Sequence, residues 1–146
     1  MNVLKILKRD HSNVQNLFGK FDRAGKSAYE KKGELFEKIR RELQLHSRAE
    51  EEIFYPAARK ATGDNDLLDE ALVEHAGAKH LISEIESMKV GDDLYDAKIR
   101  VLGEQIKHHV KEEEEELFPE IESSDMDVAA VGKQLADRKA KLMATA

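Results

Sequence analysis

The chain has no cysteine, no tryptophan and only two prolines among its 146 residues. Without cysteine it can form no disulfide, no thiolate nucleophile, no iron–sulfur ligand and no zinc-finger site. Any metal ion must therefore be held by nitrogen and oxygen atoms. With so little proline, long helices can run along the chain with few interruptions.

A long apolar run and a basic cluster are also missing. No stretch of about eighteen apolar residues could cross a bilayer, and the opening segment MNVLKILKRD carries charge and no cleavage site. Lysine and arginine number 24 against 30 aspartates and glutamates, which gives a net charge of −6. These features predict a cytoplasmic protein without a membrane or nucleic acid partner.

Helix-forming residues fill the remainder of the chain, with apolar positions three and four residues apart. Breaks are expected at residues 23–27, 62–66, 91–93 and 123–125. Gly63 suits a helix C-terminus and Asp66 suits a helix N-cap. The sequence predicts a single all-α domain, an up-down-up-down four-helix bundle over about residues 1–122 with a short fifth helix over about 127–144.

Polar residues interrupt the apolar face of every predicted bundle helix. Each of the four helices has one histidine at an apolar position, and two helices add a glutamate one turn later on the same face. The six residues are His11, His46, Glu50, His75, His109 and Glu113. A single inward histidine is usually a core residue with a satisfied hydrogen bond, but that interpretation does not explain four at once.

The same residues show an internal repeat. His46 begins HSRAEEEIFYP and His109 begins HVKEEEEELFP, so both segments place a glutamate and a proline at equal offsets. We therefore predict two helical hairpins related by a pseudo-twofold axis. Burying such groups costs on the order of several kcal/mol per unpaired charge. The pattern thus predicts two metal ions, each held by two histidines, with both glutamates as bridges.

Other polar residues near these motifs have less specific interpretations. His80 and His108 share their helix faces with polar residues and are expected at the surface. Tyr55 is expected mainly to pack as a partly buried residue, with contact to the site as the alternative. Pro56 and Pro119 predict either a bend beside the site or an approaching helix end. A solvated acidic face is expected for Glu51, Glu52, Glu112, Glu115 and Glu116.

These motifs resemble the hemerythrin-like family, also called the HHE cation-binding domain, over about residues 1–122. The resemblance is carried by Asp10 and His11, by HxxxE and EEEIFYP from His46, by Glu74 and His75, and by HHVxEEE and LFP from His108. That family is similar in holding a non-heme di-iron centre inside a four-helix bundle. The resemblance implies two oxo- or hydroxo-bridged iron ions, with manganese or zinc as alternative metals, held by His11, His46, Glu50, His75, His109 and Glu113.

Two departures from the oxygen-carrying hemerythrins bear on function. Those proteins have a second histidine one turn after the third-helix ligand, where this chain has Lys79. Their last carboxylate stands five residues after its histidine, which here is Glu114, whereas the internal repeat favours Glu113. With two histidines per ion, each iron would keep an open position, which favours redox reaction over oxygen storage.

The resemblance and the nearly symmetric ligand set predict a di-iron protein that binds and reacts with oxygen, hydrogen peroxide or nitric oxide in oxidative or nitrosative stress. Catalase-like consumption of peroxide is one form of such activity. The alternative is a non-catalytic oxygen or iron sensor or carrier. A ferritin-like enzyme is disfavoured because the chain lacks Glu-x-x-His, and a zinc hydrolase because it lacks His-Glu-x-x-His.

Overall fold

The structure is a computed structural model that describes residues 1–145 as helices and connecting turns, with no strand among them. The five helices are α1 (Val3–Arg23), α2 (Tyr29–Ala49 continued by Glu50–Phe54 and Tyr55–Thr62), α3 (Asn65–Glu86), α4 (Tyr95–Glu112 continued by Glu113–Leu117 and Phe118–Glu122) and α5 (Val128–Thr145). The predicted all-α bundle with a fifth helix is confirmed. None of these helices is both long and apolar enough to span a bilayer.

The turn between α2 and α3 shows how local sequence sets the helix ends. Gly63 ends α2 with a φ of 68°, a left-handed conformation that glycine adopts without steric cost, as the sequence predicts. The N-cap of α3 is Asp64, whose side chain accepts a hydrogen bond from the backbone N–H of Leu67. The prediction of Asp66 as the cap is therefore wrong, because Asp66 already lies in the first helical turn.

Two apolar clusters fill the bundle on either side of the predicted polar layer. One cluster includes Leu7 and Leu117, and the other includes Val14 and Leu102. Each fully buried leucine stabilises the fold by about 1.5–3 kcal/mol relative to an exposed one. Since Leu7 and Val14 stand about one turn from His11, each cluster borders the polar layer.

Helix α5 packs against the α1–α2 hairpin through one apolar side. Val131, Leu135 and Leu142 are buried there. Gly132 lies against the backbone of Met1 and Asn2, so closely that any side chain at this position would overlap the N-terminal backbone. The fifth helix therefore covers the outside of α1 and α2 but leaves the outside of α3 and α4 exposed to solvent at residues such as His108.

Helices α2 and α4 each contain one π-helical turn, at Glu50–Phe54 and Glu113–Leu117. In each turn the closing backbone N–H bonds to the carbonyl five residues earlier. Pro56 and Pro119 follow these turns after one intervening residue, and the helices then end at Thr62 and Glu122. Each proline therefore lies beside a π-helical turn and also precedes a helix end. Because proline clashes with the carbonyl four residues back, the wider turn accommodates it beside the polar layer.

Candidate metal centre

All six sequence-predicted site residues lie together inside the bundle. Glu50 is fully buried. His75 is the most accessible of the six, and only 8% of it is exposed. One group of side chains contains His11 and His46, the other contains His75 and His109, and Glu50 and Glu113 belong to both. Within each group, the donor atoms lie within 4.8 Å of one another, which is close enough for one ion to bind all of them.

Each imidazole directs Nε2 toward a shared carboxylate. The Nε2 to carboxylate-oxygen distances are 3.2 Å for His11 to Glu113, 3.1 Å for His46 to Glu50, 3.3 Å for His75 to Glu50 and 3.1 Å for His109 to Glu113. Each glutamate thus faces one histidine from each pair. The arrangement has the pseudo-twofold symmetry that the repeat predicts.

A second ring of carboxylates surrounds the four imidazoles. Each Nδ1–H group donates a hydrogen bond to one carboxylate. The pairs are His11 to Glu114 at 2.6 Å, His46 to Asp10 at 3.0 Å, His75 to Glu51 at 2.8 Å and His109 to Glu74 at 2.7 Å. Such a bond places the proton on Nδ1 and leaves the Nε2 lone pair directed inward. Metal-binding histidines commonly have such a partner, because it fixes the ring orientation and raises its basicity.

This outer ring corrects one sequence interpretation and explains another. Glu51 was expected on a solvated acidic face, yet its carboxylate binds His75 although the residue remains 42% exposed. Glu114 binds His11 from outside, whereas Glu113 points inward, so the two adjacent glutamates have different positions. The signal was present in the sequence as an acidic residue directly beside four of the six motif residues, as in Asp10 before His11.

Tyr55 is a further member of the site that the packing interpretation missed. Its hydroxyl lies 2.5 Å from Glu113 and 3.3 Å from Glu50. It is also 3.2 Å from the Nε2 of His75 and 3.3 Å from that of His109. Burial raises the pKa of this hydroxyl well above its usual value, and the two nearby carboxylates raise it further.

The position equivalent to Tyr55 in the repeat is Phe118, since each stands directly before its proline. The Phe118 ring stacks on His11, with centroids 6.1 Å apart and planes 10° from parallel. The first half of the centre, His11 and His46, is therefore bordered by an apolar ring. The second half, His75 and His109, is bordered by a hydroxyl.

The electrostatics of the polar layer favour positive charge. Burial lowers the pKa of His46, but the Glu50 carboxylate and hydrogen bonding outweigh it and raise the pKa to about 10. Burial likewise lowers the pKa of His109, but the Glu113 carboxylate raises it to about 11. In both cases a buried carboxylate stabilises a cation at the imidazole. A metal ion would supply that positive charge in place of the protons.

Four buried polar atoms without hydrogen-bond partners indicate whether a metal ion fits the site. The Nε2 atoms of His11 and His46, together with Glu50 Oε2 and Glu113 Oε1, make no hydrogen bond within the described residues. Nearly all buried polar atoms in proteins have a partner, and these four belong to a single group. Imidazole nitrogen with carboxylate oxygen suits iron, manganese or zinc. The residues therefore fit a metal ion.

Comparisons with known proteins agree with this chemistry. The structure matches the crystal structure of a hemerythrin HHE cation-binding domain-containing protein from Mycobacterium kansasii with a TM-score of 0.82, over 97% of this chain and 86% of that one, at 24% identity. At this identity the likeness shows a common fold. A protein named DNA nickase from Nostoc sp. is 29% identical over 124 residues, which are 85% of this chain. The matched region is 34% of that protein, so this chain spans about a third of its length.

The family description is the most specific of these findings. The sequence profile of the Hemerythrin HHE cation binding domain matches residues 2–121. Metal binding, with iron as the favoured ion, follows from that match and from the buried histidines and glutamates. The chain belongs to the hemerythrin HHE cation-binding domain family.

Proposed function

We propose that the protein is a non-heme di-iron protein that reacts with oxygen, hydrogen peroxide or nitric oxide in oxidative or nitrosative stress. The observation that supports this most is the pair of buried four-donor groups that share both glutamates. His11 and His46 would hold one ion and His75 and His109 the other, with Glu50 and Glu113 common to both. Two adjacent iron ions supply two one-electron redox partners when bound.

The outer carboxylates orient the histidines for this role. Because each Nδ1–H is held by a carboxylate, each imidazole is restricted to one tautomer and one ring orientation. Loss of such a partner commonly lowers metal affinity or activity by roughly 10- to 100-fold. The acidic residues beside the motif residues are therefore part of the binding site, although their carboxylates do not point inward.

Tyr55 is the proton donor nearest to the shared carboxylates. Its hydroxyl contacts Glu113 and both histidines of the second half. Because the pKa of this hydroxyl is raised, it keeps its proton and can donate a hydrogen bond to an oxidant. Phe118 has no such group in the first half. We therefore propose that the Tyr55 hydroxyl orients the oxidant at the second half by donating a hydrogen bond.

A cleft between α2 and α3 gives small molecules access to the polar layer. It has a volume of about 430 Å³, and all four site histidines line it together with apolar residues such as Leu43 and Ile82. Lys79 also lines the cleft, at the position where oxygen-carrying hemerythrins have a further histidine. The absence of that histidine leaves both ions with similar protein donors, which supports redox turnover rather than oxygen storage.

Rapid mixing of the reduced, iron-loaded protein with each oxidant tests this proposal. We expect a metal-dependent optical change with at least one of oxygen, hydrogen peroxide and nitric oxide, and repeated turnover with peroxide. His80→Ala is a matched control because His80 is exposed on the same helix as His75. Identical, unchanging spectra with all three oxidants would contradict the proposal. Reversible oxygenation without peroxide consumption would instead establish the alternative, a carrier or sensor.

We also propose that nucleic acid is not a partner of this chain, although one relative is named DNA nickase. The net charge of −6 opposes binding to a polyphosphate backbone. The matched region makes up 34% of that relative. The activity in its name therefore belongs to a protein about three times as long as the region. A gel-shift titration with duplex DNA at physiological salt should show no complex. A salt-dependent complex would contradict this part of the proposal.

A further inference from the structure

A second cluster of metal-binding side chains lies on the outer face of α3 and α4. Glu74, His108 and Glu112 each offer a donor atom, and these three atoms lie within 4.8 Å of one another. His108 Nε2 contacts Glu112 and lies 3.7 Å from Glu74 Oε2. The His108 side chain is 67% exposed, whereas the two glutamates are 28% and 21% exposed. Solvent can therefore reach the cluster directly.

Glu74 links this outer cluster to the buried centre. Its Oε1 atom accepts the hydrogen bond from Nδ1–H of His109, while Oε2 faces His108. A hollow of about 240 Å³ is lined by Glu74 and His108 as well as by His75 and His109. One carboxylate and one hollow thus connect a solvent-exposed set of donors with two of the buried histidines.

The first half of the centre lacks an equivalent cluster. In the repeat, the residue that corresponds to Glu74 is Asp10, and both of its oxygens bind Lys139 of α5, at 2.8 and 2.7 Å. The positions that correspond to His108 and Glu112 are Leu45 and Ala49. The outer donors are therefore not a by-product of the duplicated motif. They occur only on the side that α5 leaves uncovered.

We propose that Glu74, His108 and Glu112 form an outer divalent-metal site through which ferrous iron enters the buried centre, an inference that rests on the proposed function. One imidazole nitrogen with carboxylate oxygens suits Fe²⁺ or Mn²⁺. Three donors at a solvent-exposed position leave about half of the water ligands on a six-coordinate ion, so we expect the ion to be held weakly and released quickly. Clustered carboxylates also raise the local concentration of cations and their rate of capture.

The chain offers a matched control for this site. His80 and Glu84 form another exposed histidine–glutamate pair one turn apart on α3, with 3.8 Å between His80 Nε2 and Glu84 Oε1. Glu84 there faces the ammonium of Lys98 at 3.4 Å instead of a second carboxylate. This pair has the same residue types as His108 and Glu112. Its neighbouring positive charge disfavours a bound cation.

The test compares His108→Ala combined with Glu112→Gln against His80→Ala combined with Glu84→Gln. Metal-free protein is mixed anaerobically with Co²⁺, whose visible absorption reports its entry into a nitrogen and oxygen site. We expect the first pair of substitutions to slow uptake about tenfold, because the cation-concentrating cluster is lost. The control pair should leave the uptake rate unchanged. The final metal content should be equal in all three proteins.

Each result separates the entry site from the buried centre. Equal uptake rates in the two double variants would overturn the entry site while leaving the di-iron proposal in place. A lower final content at an unchanged rate would also overturn it, because the outer residues would then belong to the buried centre. A parent protein that takes up no metal would overturn the proposed function itself.

Discussion

The two halves of the centre have the same donor types in different surroundings. Around His11 and His46, the outer carboxylate Asp10 is covered by α5 and paired with Lys139. Around His75 and His109, the corresponding carboxylate faces solvent, and a tyrosine hydroxyl replaces the phenylalanine ring of the first half. A duplicated motif thus produces equivalent inner donors, while the helix that packs on one side makes their environments unequal.

This difference indicates a division of roles within one site. The first half is bordered by α5 and an apolar ring, and we expect an ion to exchange slowly there. The second half has Tyr55 as a hydrogen-bond donor and an exposed outer cluster, and we expect an ion to exchange faster there. We therefore expect the largest effect from a change that acts on both halves at once. Changes confined to one half should have smaller effects, and single changes in the outer ring the smallest.

Metal removal should have the largest effect because it acts on both halves. Without metal, the buried carboxylates of Glu50 and Glu113 repel each other, and the free energy of metal binding no longer stabilises the fold. An ion present at a thousand times its Kd contributes about 4 kcal/mol, so chelation should lower the Tm by roughly 10 °C. Calorimetry before and after chelation measures this. An unchanged Tm would mean that the six side chains do not hold metal.

Loss of the Lys139 ammonium should destabilise the first half alone. Lys139→Met removes the ammonium that pairs with the buried Asp10 carboxylate and leaves His46 as its remaining side-chain partner, which should cost about 1–3 kcal/mol of unfolding free energy. Urea denaturation of the metal-free protein measures the change. Lys133→Met is the matched control, because the Lys133 ion pair lies on the exposed side of the same helix. Equal effects of both substitutions would contradict a special role for the covered half.

Tyr55→Phe should make the two halves alike at this position. The variant keeps the ring but removes the hydroxyl that contacts Glu113, so the rate of reaction with peroxide should fall about tenfold while metal content stays unchanged. Tyr95→Phe provides the control because Tyr95 is equally buried but belongs to the apolar cluster at the other end of the bundle. An unaltered peroxide rate in Tyr55→Phe would show that the hydroxyl takes no part in the reaction.

The smallest effects should come from two single substitutions in the outer ring, one in each half. Glu51→Gln and Glu114→Gln each keep an oxygen acceptor for Nδ1–H but remove a negative charge, in the second and first half respectively. We expect metal affinity to fall by only a few-fold, and by similar amounts, because both carboxylates are partly solvated. Competition with a chelator measures the affinities. A much larger loss for one variant would show that the outer ring is not equivalent in the two halves.

The helices and the inner residues could be predicted because both follow the period of a single helix. Spacings of three and four residues placed four histidines on inward faces, and the structure buries all of them. The spacing of Leu72 from Leu68 and His75 is that of one helix face, yet Leu72 is 36% exposed because it borders the cleft between α2 and α3. A single-helix pattern does not reveal a gap between two helices.

Sequence alone left the contact of Tyr55 with the site as an alternative and did not give the partners of the outer carboxylates, for related reasons. In a regular α-helix, the residue five positions after Glu50 lies well away from its face, and only the π-helical turn brings Tyr55 inward. The partner of each outer carboxylate is on another helix, as for Glu51 and His75. Sequence spacing alone does not contain such interhelical distances, although an acidic residue stands beside four of the six motif residues.

Metal content per chain tests the central claim most directly. Freshly purified parent protein, His75→Ala and His80→Ala should be compared by elemental analysis and optical spectroscopy. We expect about two irons in the parent and in His80→Ala, and about one in His75→Ala, which lacks a donor to one ion. A parent that stays folded and metal-free after iron is supplied would show that the buried histidines and glutamates do not hold iron. A His75→Ala variant that keeps its full metal content would show the same of His75.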